Sequence, residues 1–430
     1  MTHKQTSPDV VIIGGGLAGL TAATFLARAG QSVRLYEKSH QLGGRGGTQL
    51  KNGFFFNLGP HALYKAGAGV KVLSDLGITF TGGTPTVGGY VVNAGRKDTL
   101  PGNPLTLLTT KALGFRSKLE VGRLLATIGK LDPEPFNAMT VSDWVAQKIK
   151  EPATRALLKA LFRLSTYTND PDHQSAGAAL AQLKISISDN VYYLDEGWQT
   201  LVDGLRQAAQ VSGATLITSC RVTKVTEDDN SEGKCVHLSD GTVIPARAVV
   251  IAASPQVSYE LFEHSDQTSL KQWADTARPI LASCLDVGLK SLPQPQAKFA
   301  LGIDQPLYLS VHSAVARLMP EGGALIHTAK YLHPNGASDP KMDEQELEHL
   351  LDLVQPGWRE VIIEKRFLPK MTVAHGVVTA AASGFVNRPG PTVPETPNLY
   401  VVGDWVGPEG MLSDASFASA KLAAQLILRK

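Results

Sequence analysis

The sequence predicts an α/β fold: a parallel sheet covered by helices, joined to a second domain of mixed α and β structure. Short runs of apolar, β-branched residues, such as Asp9–Ile13 and Ala248–Ser254, are typical of strands buried on both faces. The segment Glu344–Val354 has apolar residues three and four positions apart, which predicts a helix with one buried face. At 430 residues the chain is long enough for two domains.

The composition is that of an ordinary globular protein and narrows the function classes. Hydrophobic residues make up 43% and charged residues 19% of the chain, which excludes a disordered or fibrous protein. A net charge of +2 provides no field for binding nucleic acid. Three cysteines without a CxxC spacing favour a reducing compartment. Since we find no secretory signal and no apolar run of membrane-spanning length, we expect a cytoplasmic protein.

The first sixty residues carry the strongest local pattern. The first strand runs into Gly14-Gly-Gly16-Leu-Ala-Gly19, a GxGxxG, followed by a helix predicted over Leu20–Gly30. Gly14 allows the tight turn, Gly16 lets the backbone approach a pyrophosphate, and Gly19 lets helix and strand pack closely. Unpaired N–H groups at the N-terminus of the helix would then bind the phosphates.

A second strand, Ser32–Glu37, ends in an acid. Glu37 lies 21 positions after Gly16, where a carboxylate would accept hydrogen bonds from ribose hydroxyls. A GxGxxG alone could be only a glycine-rich turn. Strand, glycines, helix, strand and terminal acid in this order predict a Rossmann-type dinucleotide-binding domain, and a NAD-dependent dehydrogenase remains an alternative at this point.

A second glycine turn, Gln41–Thr48, follows the acid and brings Arg45 close to the predicted pyrophosphate site. Together these motifs resemble the flavoprotein superfamily of amine oxidases, protoporphyrinogen oxidases and phytoene desaturases, whose signature is GxGxxG, an acid, and LGGR with a Thr three positions later. Here LGGR is Leu42–Arg45 and the Thr is Thr48. The segment Gly53–His61 is similar to the next strand and turn of that family, although Asn57 stands where Asp is more usual.

The resemblance implies FAD as the cofactor and a discontinuous, glutathione-reductase-like FAD-binding domain. Its expected pieces are 1–89, 193–257 and 391–430, and 90–192 and 258–390 form the substrate-binding domain. Within the middle piece, a three-stranded meander is predicted over Arg221–Glu227, Lys234–Leu238 and Thr242–Pro245. At the end of the chain, a strand over Thr396–Asp404 and a helix over Ser413–Lys430 return to the cofactor, with Ser419-Ala420 where the family often has Ser-Gly.

The same resemblance assigns site residues. Asp404 would contact the ribityl chain or the pyrophosphate. His61 and Tyr64 are the catalytic candidates, with His61 either a base, a flavin-contacting residue or a structural one. Asp195, Glu196, Arg366 and Lys370 flank segments that could line the cavity but are expected to be surface charges. The complete set of expected cofactor-binding residues is Gly14, Gly16, Leu17, Ala18, Gly19, Glu37, Lys38, Gly44, Arg45, Gly59, Pro60, His61, Val222, Gly403, Asp404, Met411 and Leu412.

These features lead to the hypothesis of an FAD-dependent oxidoreductase that removes hydride from a largely apolar or amine-bearing small molecule. The turn Gly59–His61 and the ending Gly403–Trp405 favour the phytoene desaturase-like branch. No CxxxxC follows the first helix and no second GxGxxG is present, so we expect oxygen or a quinone as electron acceptor. The histidines have no metal-ligand spacing. The alternative hypothesis is an FAD-binding escort or chaperone-like protein without turnover.

One segment raises the question of membrane contact. Leu105–Ile128 combines leucines and a phenylalanine with scattered lysines and arginines, a composition that can lie on a membrane surface. The alternative interpretation is a helical hairpin of the substrate domain that faces its own core.

Overall fold

The computed structural model describes residues 7–228 and 232–429, so Lys430, the last residue of the predicted C-terminal helix, and Met1–Thr6 lie outside the described residues. The strands are β1 (Val10–Ile13), β2 (Val33–Tyr36), β3 (Thr48–Lys51), β4 (Phe54–Asn57), β5 (Leu63–Tyr64), β6 (Gly82–Gly83), β7 (Tyr90–Asn93), β8 (Arg96–Thr99), β9 (Val191–Leu194), β10 (Thr215–Ile217), β11 (Val222–Glu227), β12 (Lys234–Leu238), β13 (Val243–Ala246), β14 (Ala248–Ile251), β15 (Ile280–Leu289), β16 (Phe299–Gly302), β17 (Leu307–Val311), β18 (Ala324–Leu332), β19 (Ile362–Ala374) and β20 (Leu399–Val401). The helices are α1 (Leu17–Arg28), α2 (Ala68–Asp75), α3 (Pro104–Thr109), α4 (Phe115–Ile128), α5 (Val141–Lys148), α6 (Pro152–Thr166), α7 (Ala176–Asp189), α8 (Gln199–Val211), α9 (Pro255–Leu261), α10 (Ser269–Thr276), α11 (Pro340–Val354) and α12 (Leu412–Leu428).

A parallel sheet joins the two ends of the chain. Its strand order is β10-β2-β1-β14-β20, and all four pairings are parallel. Successive residues of β1 face opposite sides: Val10 and Ile12 pack in a core with α1, α8 and α12, while Val11 and Ile13 pack in a core with the meander. This confirms the prediction of a first strand buried on both faces.

The predicted meander is confirmed as the antiparallel sheet β11-β12-β13. It covers one face of the parallel sheet, and α9 and α10 pack into the same core through Leu261 and Leu270. The segment from Pro255 to Thr276 therefore lies with the meander rather than with the larger sheet.

The larger sheet has seven strands in the order β19-β15-β18-β17-β16-β7-β8. β15 is buried along its whole length. The helix α11 packs on this sheet through Leu347, Leu350, Leu351 and Val354, the apolar face that the sequence predicts. The mainly helical segment between residues 90 and 192 supplies β7, β8 and the helices α3 to α7, which form a layer beside the sheet.

The strand order of the parallel sheet indicates where a ligand-binding crevice lies. From β1 the chain moves to β2 on one side, while β14 and β20 lie on the other. In open parallel sheets, ligands bind beyond the carboxyl ends of the strands where the strand order reverses in this way. The residues that follow β1, β2, β14 and β20 all open onto one cavity.

Candidate functional site

Each glycine of the first turn has a different structural role. A Cβ on Gly14, which has φ of +108°, would lie 2.5 Å from the carbonyl oxygen of Ala252. A Cβ on Gly19 would lie 1.9 Å from the carbonyl oxygen of Gly14, so this glycine permits the close packing of α1 on the turn. A Cβ on Gly16 would meet nothing nearer than the carbonyl oxygen of Gly43 at 3.9 Å. The space beside Gly16 is the part of the turn left open for a ligand.

The N-terminus of α1 can bind an anion. The helix begins at Leu17, three residues earlier than predicted, because Gly16 serves as its N-cap in an extended conformation. No side chain caps the helix, so the N–H groups of its first turn and the positive end of its dipole are available to a phosphate. This is the donor set that a pyrophosphate requires.

Glu37 binds the turn while lining the cavity. The N–H of Gly15 donates to its Oε2 and the N–H of Ser39 donates to its Oε1, both at 2.8 Å. Each carboxylate oxygen keeps a further lone pair for a ribose hydroxyl. The carboxylate therefore lies beside the glycine turn, and its predicted contact with a ribose stays a prediction.

The second glycine turn packs directly on the first. The N–H of Gly43 donates to the carbonyl of Gly15 at 2.8 Å. The side chain of Arg45 crosses to the other end of the chain, where Nη1 lies 2.5 Å from Oδ2 of Asp404 and 2.9 Å from the carbonyl of Val373. This ion pair therefore joins an N-terminal segment of the chain to a C-terminal one.

Asp404 is buried and engaged on both oxygens. Its Oδ1 accepts the backbone N–H of His375 and lies 3.2 Å from Nδ1 of the same residue. Burial favours the neutral acid, but Arg45 and His375 outweigh this effect and lower the pKa of Asp404. Arg388 donates to the carbonyl oxygens of Asp404 and Gly410, which holds the loop after β20, and burial lowers the pKa of Arg388 to about 10.

A buried cluster of charged side chains binds the backbone at the start of the turn between β4 and β5. Arg366 donates to the carbonyl oxygen of Asn57 and forms a 2.7 Å ion pair with Asp286. Asp286 also lies 2.6 Å from Nδ1 of His327, and both side chains are fully buried. The prediction of Arg366 as a surface charge is wrong, because its side chain is only 14% exposed and its partners lie on β15 and at the end of β4, 309 positions earlier in the chain.

Asn57, which replaces the usual Asp, is also satisfied. Its Oδ1 accepts from the hydroxyl of Thr48 at 2.7 Å and from the N–H of Trp198 at 2.9 Å. The hydroxyl of Thr48 in turn accepts the N–H of Gln199 at 3.0 Å. An uncharged amide oxygen serves this network as well as a carboxylate would.

His61 lines the cavity, but its ring nitrogens face the protein. Nδ1 lies 3.0 Å from the carbonyl oxygen of Gly59, and Nε2 lies 3.0 Å from the carbonyl oxygen of Arg45. Its ring also packs edge-on against Trp198. Since neither nitrogen has a free lone pair aimed into the cavity, the geometry favours a structural or flavin-contacting residue over a base.

Tyr64 does not reach the cavity. Its hydroxyl is buried and donates to the carbonyl of Ser165 at 2.6 Å, and burial raises its pKa to about 12. The expectation of Tyr64 as a catalytic residue does not fit this placement, because β5 directs its side chain into the protein interior.

The cavity has a volume of about 820 Å³, within the range of cofactor and ligand sites. Most of the expected cofactor-binding residues line it, namely Gly14, Gly16, Leu17, Ala18, Glu37, Lys38, Gly44, Arg45, Pro60, His61, Val222, Gly403, Asp404 and Leu412. Three of them do not: Gly19 packs against the backbone of Gly14, Gly59 packs against the side chains of Cys284 and Met371, and Met411 is buried at the start of α12.

Comparison with known proteins identifies the family. The chain matches the family described as flavin containing amine oxidoreductase over residues 17–281, more than half of its length. The protein belongs to this family. Its cofactor is therefore a flavin, FAD, and the cradle of unpaired N–H groups, Glu37 and Asp404 fits that molecule.

Two curated relatives match only a short part of the sequence, whereas a solved structure matches the fold over nearly the whole chain. The chain is 52% identical to a carotenoid 3,4-desaturase of Haloarcula japonica over 52 residues, 12% of this chain and 10% of the relative. It is 52% identical to a 4,4'-diapolycopene oxygenase of Methylomonas over 61 residues, 14% of this chain and 12% of the relative. The structure of cyclohexylamine oxidase from Brevibacterium oxydans has a TM-score of 0.76 at 17% identity, covering 98% of this chain and 99% of that one.

The N-terminus of helix α12 lies at the cavity, where Leu412, Ser413 and Ser416 line the wall. A helix N-terminus at this place can stabilise negative charge on a flavin ring. In the pair Ser419-Ala420 the serine matches the family pattern, and its hydroxyl accepts from the N–H of Gly403 at 3.0 Å and donates to the carbonyl of Gly403 at 3.1 Å. It anchors α12 to the loop that carries Asp404.

Sequence reasoning missed several residues in or beside the cavity. His375 supports Asp404, Trp198 packs on His61, and the wall opposite the dinucleotide cradle carries Tyr167, Cys284 and Met371, among others. One of these residues had a local signal in the sequence, the glycine directly before Trp198. In the structure a Cβ on Gly197 would lie 2.5 Å from the hydroxyl of Thr48, so a glycine is needed at this position.

Proposed function

We propose that the protein is an FAD-dependent oxidoreductase that removes hydride from a largely apolar small molecule, with oxygen or a quinone as electron acceptor. The observation that carries the proposal is that the dinucleotide cradle and an apolar wall share one cavity. In this proposal the parallel sheet and the meander form the cofactor unit, and the seven-stranded sheet with its helices forms the substrate unit.

The apolar wall is built by two neighbouring strands. Ala282 and Cys284 of β15 and Met371 and Val373 of β19 line the cavity, and Ala282 pairs with Met371. Because side chains alternate along a strand, these residues share one face of the sheet. Burial raises the pKa of the Cys284 thiol, so it stays neutral. Tyr167 completes this wall, and its hydroxyl donates to the carbonyl of Pro60 at 3.2 Å.

The charges of the cavity favour a neutral substrate. Among the described residues, its lining carboxylates are Glu37, Glu260 and Asp404. Glu37 and Asp404 belong to the dinucleotide cradle, and Glu260 lies on α9 beside the meander. The wall of β15 and β19 carries no carboxylate that would bind a protonated amine. The desaturase and oxygenase names of the two relatives are consistent with a polyene, and the short stretches of similarity leave the substrate class a proposal.

In this proposal the residues of the chain bind the cofactor, orient the substrate and shield the site from water. The N-terminus of α1, Glu37 and Asp404 bind the cofactor, and the wall of β15 and β19 aligns an apolar chain and excludes water. A bound flavin supplies the hydride-accepting chemistry. Since both ring nitrogens of His61 face carbonyl oxygens, the proposal assigns it no proton abstraction.

Anaerobic reduction of the bound flavin tests this function. We expect polyenes to bleach the flavin absorbance and amines and porphyrinogens to leave it unchanged. Ala282→Leu would narrow the apolar wall and slow the bleaching at least several-fold while FAD stays bound. Ala146→Leu, on the exposed side of α5, is the matched control. Bleaching by amines but not by polyenes would contradict the substrate class.

A protein that binds FAD without turnover is the second candidate. The observation that favours it is that both ring nitrogens of His61, the base considered from the sequence, face carbonyl oxygens of the protein. Bleaching by no compound of the panel, with FAD bound at full occupancy, would support this candidate and contradict an oxidoreductase.

We also propose that α3 and α4 contact a membrane surface. The side chains of Leu108 and Phe115 are 72% and 76% exposed, while the opposite face of these helices is buried through Leu107 and Val121. Lysines and arginines accompany the exposed apolar residues, a combination that suits an anionic lipid surface. Among the described residues, no helix combines the length and apolar character needed to cross a bilayer.

Sedimentation with vesicles tests the membrane proposal. The wild-type protein should sediment with vesicles of anionic lipid, and the double variant L108Q/F115Q should remain in the supernatant. Val211→Gln, which replaces an 82% exposed valine on α8, is the control and should sediment like the wild type. Equal sedimentation of all three proteins would contradict the assignment of this surface.

A further inference from the structure

The ring of His61 bridges two turns that belong to different parts of the cofactor cradle. Nδ1 faces the carbonyl oxygen of Gly59, and Nε2 faces the carbonyl oxygen of Arg45, each at 3.0 Å. Carbonyl oxygens only accept hydrogen bonds. A neutral imidazole has one N–H and can satisfy one of the two carbonyls, whereas an imidazolium has two N–H groups and satisfies both. The hydrogen-bond geometry therefore matches the protonated ring.

Burial opposes this protonation in the protein alone. Desolvation lowers the pKa of His61, and the two carbonyl oxygens act in the opposite direction without restoring it. The protein thus offers a protonated ring two aligned carbonyl acceptors, but it removes much of the water that would otherwise solvate the charge.

The charged groups around His61 are already paired. Asp286 favours a positive charge on His61 and His327 disfavours it, but Asp286 is bound by both Arg366 and His327. On the other side, the guanidinium of Arg45 is paired with Asp404. A new negative charge inside the cavity would be the missing stabilising element.

We propose that His61 takes up one proton from solvent when a dinucleotide binds in the cavity, so that both ring nitrogens then donate to the two turns. The proposal rests on the proposed cofactor site. A pyrophosphate carries negative charge to the turn that contains Gly44 and Arg45, and the carbonyl of Arg45 is one of the two acceptors of the ring. His61 is thus a positioning residue that ties the second glycine turn to the Gly59 turn most strongly in the loaded protein.

The proposal predicts a defined pH dependence of FAD binding. The pKa of His61 is low in the empty protein and higher in the loaded protein. Between these two values, the affinity for FAD should fall about tenfold for each unit of rising pH, since one proton is bound with the cofactor. Below the lower value the ring is protonated in both states, and above the higher value it is neutral in both, so the affinity should be flat there.

Calorimetric titration of the apoprotein with FAD measures the proton directly. Titrations between about pH 5 and 9, in buffers with different heats of ionisation, should give a proton uptake in the wild type that is largest, approaching one proton, between the two pKa values of His61 and that falls off on either side. His61→Gln keeps a donor and an acceptor but cannot titrate, and its uptake should be lower by that proton. His264→Gln removes a histidine that is 64% exposed and should behave like the wild type. His375→Gln removes the other histidine that lines the cavity and should keep the uptake.

Several results would overturn the proposal. One is unchanged proton uptake in H61Q, and another is loss of uptake in H375Q but not in H61Q. Nitrogen NMR of the wild-type protein provides a readout that needs no variant: the ring of His61 should carry two N–H groups in the FAD-loaded protein, and a singly protonated ring would contradict the proposal. Tight FAD binding without linked protons overturns only this inference, whereas failure to bind FAD overturns the proposed function as well.

Discussion

Replacing Gly16 by alanine should weaken FAD binding while leaving the stability of the folded apoprotein almost unchanged. Gly16 has φ of −77° and ψ of −176°, a conformation that alanine adopts without strain. The added Cβ would lie 3.9 Å from its nearest protein atom, the carbonyl oxygen of Gly43. The methyl group would therefore stand between the two glycine turns, in the space that we assign to the pyrophosphate.

The expected magnitudes follow from this geometry. Alanine is a poorer N-cap than glycine, which lowers the free energy of unfolding by about 0.5–1 kcal/mol. Alanine also reduces the conformational entropy of the unfolded chain, which raises the free energy of unfolding by about 0.4–1 kcal/mol. The free energy of unfolding of the apoprotein should therefore change by less than about 1 kcal/mol. A methyl group forced against a bound ligand costs about 1–3 kcal/mol, which weakens FAD binding about 5- to 150-fold.

Fluorescence titration with FAD and urea unfolding of the apoprotein measure the two effects. Gly114→Ala is the matched control, because Gly114 is also an N-cap, with φ of −69° and ψ of 168°, and its Cβ would have no neighbour within 4 Å. It should bind FAD like the wild type. If G16A bound FAD as tightly as G114A, the pyrophosphate would not lie beside Gly16 and the reasoning would be refuted.

Three further changes test other parts of the site. Gly19→Ala places a Cβ 1.9 Å from the carbonyl oxygen of Gly14 and should lower the free energy of unfolding by about 1–3 kcal/mol in urea; unchanged stability would contradict the close packing. Asp404→Asn leaves Arg45 without its partner and should cost about 2–3 kcal/mol at neutral pH, less than a fully buried pair because Arg45 is 37% exposed. Since the pKa of Asp404 is lowered in the folded state, the carboxylate stabilises the protein above about pH 4 and this stabilisation is lost as the pH falls further. The gap between wild type and variant should therefore narrow in acid unfolding curves, and a constant gap would speak against the ion pair. Tyr64→Phe should cost about 1 kcal/mol and leave FAD affinity and turnover unchanged; a large loss of turnover would restore Tyr64 as a catalytic residue.

The sequence predicted those strands whose own residues form a recognisable apolar pattern. β1 is apolar at every position, and its alternate residues are buried in two different cores, as Val10 and Val11 illustrate. The seven-stranded sheet was not predicted, because its core strand β15 contains Asp286, and the partners that make this burial favourable lie on β18 and β19. Pairings of such long range leave no local pattern.

The same distinction applies to the site. Gly14, Gly16 and Glu37 could be assigned to the site from the sequence because the strand, glycine turn, helix and second strand that carry them are close together in the chain. The family resemblance assigned Arg45 and Asp404 separately to the cofactor, but their ion pair was not predicted, since 359 positions separate them. His375 and the apolar wall could not be predicted, because the seven-stranded sheet that carries them was itself not predicted.

A crystal structure of the protein with FAD tests the central claim most directly. The account predicts that the pyrophosphate lies against the N-terminus of α1, between Gly16 and Gly44, and that the ring system reaches the wall formed by β15 and β19. An FAD molecule bound elsewhere, or one whose phosphates lie away from both glycine turns, would contradict the account.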